Sequence, residues 1–318
     1  MARATAAAGT RRAAAAEAAA SMVPAPAPDP GERLLALLER AERVLERFEL
    51  AFLPGAQPPD WEAARAFRWR RRGSSAQLLP VRTAPAIRLA DLHGIDEQKR
   101  RIERNTRQFV AGRPANNVLL TGARGTGKSS LVKACLNKFA AKGLRLIEVD
   151  KADLIDLPEL MELLVDRPER FVVFADDLSF DDGEPGYKAL KSVLDGSVAA
   201  QADNVLIYAT SNRRHLLPET MRDNLGYAHG EDGELHPGEV VEEKISLSDR
   251  FGLWVSFYPF DQDHYLAIAA HWLQAFGASA GQAEAARAEA LLWALERGSR
   301  SGRIAWQFAR DWAGRKLG

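Results

Sequence analysis

The stretch V-L-L-T-G-A-R-G-T-G-K-S-S at residues 118–130 constrains this chain more than any other. Val118 to Leu120 read as the end of a buried strand, the glycines as a turn, and Lys128 onward as the start of a helix. Gly122, Gly127, Lys128 and Ser129 fill the spacing G-x-x-x-x-G-K-[ST] without a mismatch. A backbone that wraps a phosphate has to turn tightly and aim successive N–H groups and a helix N-terminus at it, which glycine permits. The residues expected to line such a cradle are Gly122, Ala123, Arg124, Gly125, Thr126, Gly127, Lys128, Ser129 and Ser130. Lys128 is placed to reach the β and γ phosphates of ATP as a point charge, and the Ser129 hydroxyl to hold Mg²⁺.

A second motif answers the first. F-V-V-F-A-D-D at 171–177 is an apolar strand that delivers two acids to its carboxyl end, where open α/β sheets bind ligands. Asp176 is the expected Mg²⁺ ligand and Asp177 the residue that orients or activates the attacking water.

Around these motifs, apolar strands alternate with helical stretches: strands at 145–149, 171–174, 205–209 and 253–257, helices at 158–165 and 187–194. With the strand at 118–120 this predicts an α/β fold, a five-stranded parallel sheet with helices on both faces. After Pro259 the pattern is helical, over 263–276, 282–297 and 303–315. The organisation expected is a disordered tail at 1–30, a helical N-terminal arm and linker at 31–85, a nucleotide-binding α/β domain at 86–259 and a helical lid at 260–318. The tail is rich in Ala and then Pro; Arg3, Arg11 and Arg12 invite a signal-peptide reading that Glu17 and the weak hydropathy of alanine oppose, and Met22 is an alternative start. The arm is one amphipathic helix over Glu32 to Leu53.

Trp61 to Arg72, W-E-A-A-R-A-F-R-W-R-R-R, reads as a short helix, and Gly73 to Pro85 as a linker. Arginines among aromatics suit either a helix docked on a core or partner protein, or a nucleic-acid contact through Arg70, Arg71 and Arg72. Acidic and basic residues balance at 43 each, so no global field draws the chain to nucleic acid or anionic lipid. With no apolar run of membrane-spanning length, it reads as soluble and cytoplasmic, without a membrane partner. Cys135, the single cysteine, excludes an internal disulfide and reads as a buried small hydrophobe.

Residues 88–315 resemble an AAA+ ATPase module. L-L-T-G-A-R-G-T-G-K-S-S, preceded by A-N-N and answered by A-D-D-L-S-F, resembles a bacterial AAA+ group known mainly as a domain of unknown function. The resemblance implies that Asn212 in Y-A-T-S-N is the sensor that helps hold the attacking water. It makes Arg250 in S-D-R-F-G an arginine finger acting in a neighbouring subunit's site, with Arg213, Arg214 and Arg222 as rivals. It places a second sensor at Arg303 in S-G-R-I-A-W, and His93, Gly94 and Ile95 near the adenine.

It implies, too, a homo-oligomer, ring or filament, that remodels an unknown protein partner at the expense of ATP, with nucleic acid possible. A loader acting on DNA-bound machinery and a weakly hydrolysing ATP-binding switch are the alternatives. Three departures matter. Asp177 stands where most members carry glutamate; Ala123 and Arg124 stand where Pro-Pro is frequent; and no aromatic residue occurs from Ala140 to Arg170, where ring-shaped unfoldases present a pore loop. The polar insertion at 213–248 reads as a loop able to sense nucleotide or partner, and His229 and His236 do not match a metal-site spacing.

Overall fold

The computed structural model describes residues 31, 37–38, 40–42, 59–72, 75–82, 86–180, 184–196, 202–213, 216, 228–229, 235–236 and 247–317. By contact pattern residues 1–55 form one unit and 56–318 another. Within the expected arm helix the described residues Leu37, Leu38, Arg40, Ala41 and Glu42 are helical; the rest of that segment, the tail, and most of the insertion with Arg214 and Arg222 lie outside the described residues.

Strands β1 (Ala66–Arg72) and β2 (Ser75–Pro80) open the main unit. Next come α1 (Asp96–Val110), β3 (Val118–Gly122), α2 (Lys128–Phe139), β4 (Leu144–Val149), α3 (Leu157–Leu164), β5 (Arg170–Ala175), α4 (Pro185–Leu194) and β6 (Val205–Ser211). A short antiparallel pair, β7 (Ala228–His229) and β8 (Leu235–His236), lies in the insertion, and β9 (Leu253–Phe257) completes the main sheet. Four helices end the chain: α5 (Gln262–Ala275), α6 (Ala280–Ala285), α7 (Arg287–Glu296) and α8 (Gly302–Lys316).

The sheet has seven strands in the order β2-β1-β4-β5-β6-β3-β9, not the five expected. Five are the predicted parallel strands; the other two come from the segment read as a helix and a linker. The helix over Trp61 to Arg72 is not formed. β1 pairs parallel with β4 through Ala66↔Leu146 to Trp69↔Val149, and antiparallel with β2 from Phe67↔Pro80 to Arg72↔Ser75. The reason is aromatic burial: Phe67 and Trp69 lie two residues apart, the strand period, and both are buried against Trp61 and the α3 side of the sheet. Arg68 and Arg71 find carboxylates on neighbouring elements, Arg68 bonding Glu148 at 3.4 Å and Arg71 clamping Asp156, which also accepts from Trp69 Nε1 at 3.3 Å.

Two apolar layers cover the sheet. On one face α1 and α2 bury Ile102, Phe109, Leu131 and Leu136 against Val118, Leu120, Phe174 and Tyr208, and Phe308 of the C-terminal helices belongs to the same buried cluster. On the other, α3 and α4 bury Leu157, Leu160, Leu164 and Leu190 against Leu119, Val173 and Ile207. Cys135 lies in the first layer, and burial pushes its thiol up to about 12, the behaviour of a small core hydrophobe. Among the described residues no helix is long and apolar enough to cross a membrane.

Candidate nucleotide site

β3 runs between β6 and β9 and ends at Gly122, whose φ of +123° lies where side chains are rarely tolerated. A Cβ there would overlap the carbonyl oxygen of Phe257 on β9. The close approach of two strands at the mouth of the loop therefore requires glycine. Gly122→Ala is expected to cost about 3–5 kcal/mol, lowering the melting temperature by about 10 °C and abolishing nucleotide binding; a calorimetric scan with and without ATP checks both.

Past Gly122 the loop is held by its own side chains. Thr126 Oγ1 donates to the Ala123 carbonyl at 2.8 Å. Lys128 begins α2 after Gly127 and turns back over the loop, donating to the carbonyls of Gly122 (2.7 Å) and Ala123 (2.8 Å) and to Asn212 Oδ1 (2.9 Å). All three ammonium protons thus have acceptors. Burial lowers the Lys128 pKa, opposed by Asp177 and Asp176 and reinforced by Arg124 and Arg303. Arg124 is exposed at the loop tip, and Ser130 is half-buried on the first turn of α2.

Across the loop the acidic strand end is tied in by hydroxyls. Ser129 Oγ donates to Asp176 Oδ1 at 2.6 Å, and Thr210 Oγ1 donates to the same oxygen at 2.6 Å. Asp177 N–H donates to Thr210 Oγ1 at 2.8 Å. Asn212 Nδ2 donates to Asp177 Oδ1 while its Oδ1 accepts from Lys128, so both amide atoms are oriented by charge. A hydroxyl and a carboxylate brought together beside a phosphate loop are the hard oxygen donors that suit Mg²⁺, so the residues present fit that ion.

Asp177 has φ +53°, and it is the one residue besides glycine with positive φ among the described residues. Aspartate tolerates that region better than most side chains, which gives a physical reason for Asp in place of Glu. Thr210 is a site residue that the motifs do not single out. The signal for it is its place on β6 two residues before Asn212, which puts both on one side of the strand.

Two further segments meet the loop. Ile95 and Leu92 reach the Gly127 turn, and Gly94 lies against the rings of His264 and Phe260. The His93 and His271 rings meet at a tilt with centroids 4.4 Å apart; His93 Nε2 has no hydrogen-bond partner among the described residues, while His271 Nε2 lies 3.6 Å from Asp91 Oδ1. Burial lowers the His93 pKa, helped by His271 and Lys99 and opposed by Asp96 and Asp91. With its folded pKa below the unfolded value of about 6.5, His93 contributes stability that is present above that value and lost as pH falls below it. The melting temperature is expected to drop between pH 7.5 and 5.5, and to drop less in His93→Asn; equal drops would refute the assignment.

The helical residues meet the loop at their last helix. Ser301 caps α8 by accepting from Ile304 N–H at 3.3 Å, and Gly302 N–H donates to the Gly125 carbonyl at 2.8 Å. Gly125, at φ +72°, would place a Cβ 2.8 Å from Ser301 and 3.6 Å from the Cβ of Arg303. Arg303 is therefore beside the loop of its own chain.

Arg250 is not. It precedes β9, whose first residue Leu253 pairs with Val118 at the far end of β3, whereas Gly122 pairs with Phe257. Four residues of strand, about 13 Å, separate it from the loop. Its guanidinium pairs with Asp195 just past α4. Arg213, its described rival, follows Asn212 and donates its N–H to Ser211 Oγ at 3.1 Å.

Strand, glycine loop and helix in this sequence, with the acidic strand two places away in the sheet, define a P-loop domain followed by a helical segment. A protein-family model described as "Protein of unknown function (DUF815)" matches residues 62–316, and the chain belongs to that family. The match takes in the β1–β2 hairpin.

No curated protein matches the chain. Among solved structures it is similar to the Thermotoga maritima RuvB Holliday junction branch migration motor, at 16% identity over 71% of this chain and 64% of that one, with a TM-score of 0.43. It is similar to a chain of the Escherichia coli MS115-1 HORMA:CdnC:Trip13 complex, at 14% identity over 70% and 89%, TM-score 0.43. It is also similar to the Aeropyrum pernix Orc1 protein in complex with DNA, at 13% identity over 71% and 61%, TM-score 0.46. The alignments thus span less than two thirds of the RuvB and Orc1 chains.

Proposed function

We propose that the chain is an ATPase that binds ATP on the loop at 122–130 and hydrolyses it between copies of itself, driving movement of a partner protein. The observation that carries the reading is the continuous chain Lys128, Asn212, Asp177, with Ser129 and Asp176 beside it. In this reading the row would supply a cation for phosphate, a polar residue for water and a carboxylate base.

In this reading Lys128 exchanges its two carbonyl partners for phosphate oxygens, and Asn212 turns its amide toward the attacking water. Asp177 accepts the water proton as the bond from water oxygen to the γ-phosphorus forms and the bond from that phosphorus to the bridging oxygen breaks, releasing ADP and phosphate. Ser129 and Asp176 would hold Mg²⁺, which when bound neutralises charge on the phosphate oxygens. Arg303 would read the phosphates within the chain, and Arg250 would serve the next copy. His93, Gly94 and Ile95 would border the adenine, and the helices at 260–318 would act as the lid on the domain at 86–259.

One observation favours a second reading. The Asp177 carboxylate is bonded to Asn212, and a base so held suits an ATP-binding switch with little turnover. Turnover measured against protein concentration with Mg²⁺ separates the two. A specific rate that climbs with concentration supports hydrolysis between copies; tight ATP binding with negligible turnover at every concentration refutes it.

A further inference from the structure

The balanced net charge conceals a division across the sheet. Between residues 98 and 147 there are twelve basic residues and one acid, Glu103; between 148 and 169 there are eight acids and two bases. The first segment supplies α1 and α2 on one face, the second α3 on the other. The segment that holds most of α1 and all of α2 is therefore basic, and the segment that holds α3 acidic.

The charges form ridges of fixed geometry. α1 buries Ile102, Asn105, Thr106 and Phe109, and its seating is locked by Asn105 and Thr106, which bond the buried Tyr208 hydroxyl at 3.1 and 2.9 Å. At about 100° per residue, Arg100, Arg104 and Arg107 project directly away from that buried side, and all three are exposed. Arg100 and Arg104 have no ion-pair partner among the described residues, while Arg107 leans on Glu103, which also accepts from Lys138.

α3 mirrors this arrangement. It buries Leu157, Leu160, Met161 and Leu164, so Glu159, Glu162 and, in the turn just beyond, Asp166 project outward, exposed and without an ion-pair partner among the described residues. Beside them Leu163 is 54% exposed and Ile155 50%.

We propose that the basic ridge of α1 in one copy docks antiparallel on the acidic ridge of α3 in the next. The registers agree. Arg100, Arg104 and Arg107 are spaced four and then three residues apart; Asp166, Glu162 and Glu159, taken in reverse, are spaced four and then three. Each ridge spans two helical turns, about 10 Å, so three opposite-charge pairs form together with the Leu163 and Ile155 side chains at their flank. Because the ridges lie on opposite faces of the sheet, the contact is heterologous and repeats from copy to copy as a ring or filament. The inference rests on the reading that copies of this chain assemble, and not on ATP hydrolysis.

The test is sedimentation of the full chain without nucleotide, alone and with two charge-reversed variants, R100E/R104E/R107E and E159K/E162K/D166K. The native chain is expected to assemble, with roughly tenfold weaker association at high salt. Each variant alone is expected to remain monomeric, and a mixture of the two to recover assembly, since each restores the complement that the other lacks. Recovery on mixing also shows that both variants are folded. Variants that assemble like the native chain, or that fail to recover together, overturn the ridge contact while leaving assembly intact. A native chain that is monomeric at every concentration overturns assembly as well. Loss of single-stranded DNA binding in the arginine variant, with sedimentation unchanged, assigns the basic ridge to nucleic acid and overturns the proposal.

Discussion

Arg250→Ala is expected to lower ATP turnover by about 10³-fold while leaving ATP affinity and melting temperature unchanged. The basis is position: Arg250 stands at the opposite end of β9 from the loop of its own chain and pairs with Asp195 beyond α4. In the proposed reading a guanidinium there would serve another copy's phosphates. Stopped turnover alone does not separate action within the chain from action between chains, but a mixture does. Copies carrying Lys128→Ala cannot engage phosphate yet retain Arg250, and Arg250→Ala copies retain an intact loop. Mixed assemblies are expected to recover part of the rate, measured as phosphate release; no recovery at any ratio would falsify the assignment between copies.

The second large effect is expected at Asp177. Asp177→Asn should reduce turnover by about 10²–10⁴-fold, because an amide accepts no proton from the attacking water. ATP binding should persist, since Lys128, Ser129 and Asp176 are untouched. Asparagine tolerates the φ of +53° as aspartate does, so the melting temperature should hold. Equilibrium binding of a fluorescent ATP analogue beside single-turnover hydrolysis reads the two halves separately. Equal turnover in the variant would remove Asp177 from catalysis and leave it a purely conformational residue at the strand end.

Much of this arrangement is legible in the amino-acid sequence. The loop and the acidic strand are local: glycine spacing and a run of apolar residues ending in acids describe them, whereas Asn212 is legible only through the family resemblance. The five parallel strands are legible for the same reason, being largely apolar because helices cover both faces. The hairpin is not. In W-E-A-A-R-A-F-R-W-R-R-R alanine, glutamate and arginine favour a helix locally, and the deciding interactions are distant ones, with β4 and with Asp156. The Gly302 to Gly125 bond leaves no local signature because it joins segments far apart in sequence. Asp177 is legible as a departure from the family pattern, but its positive φ, which gives the departure a reason, is a property of the folded backbone alone.

The bond from Gly302 N–H to the Gly125 carbonyl ties the first residue of α8 to the tip of the phosphate loop. α8 has 15 residues, about 22 Å of rigid rod. It is held at one end by the segment that must adjust when a phosphate arrives. A tilt of about 5° at that end would displace the other by about 2 Å, the action of a lever with its short arm in the loop. A change too small to alter the sheet is magnified at the last residues of the helix, where a bound neighbour would feel it as displacement.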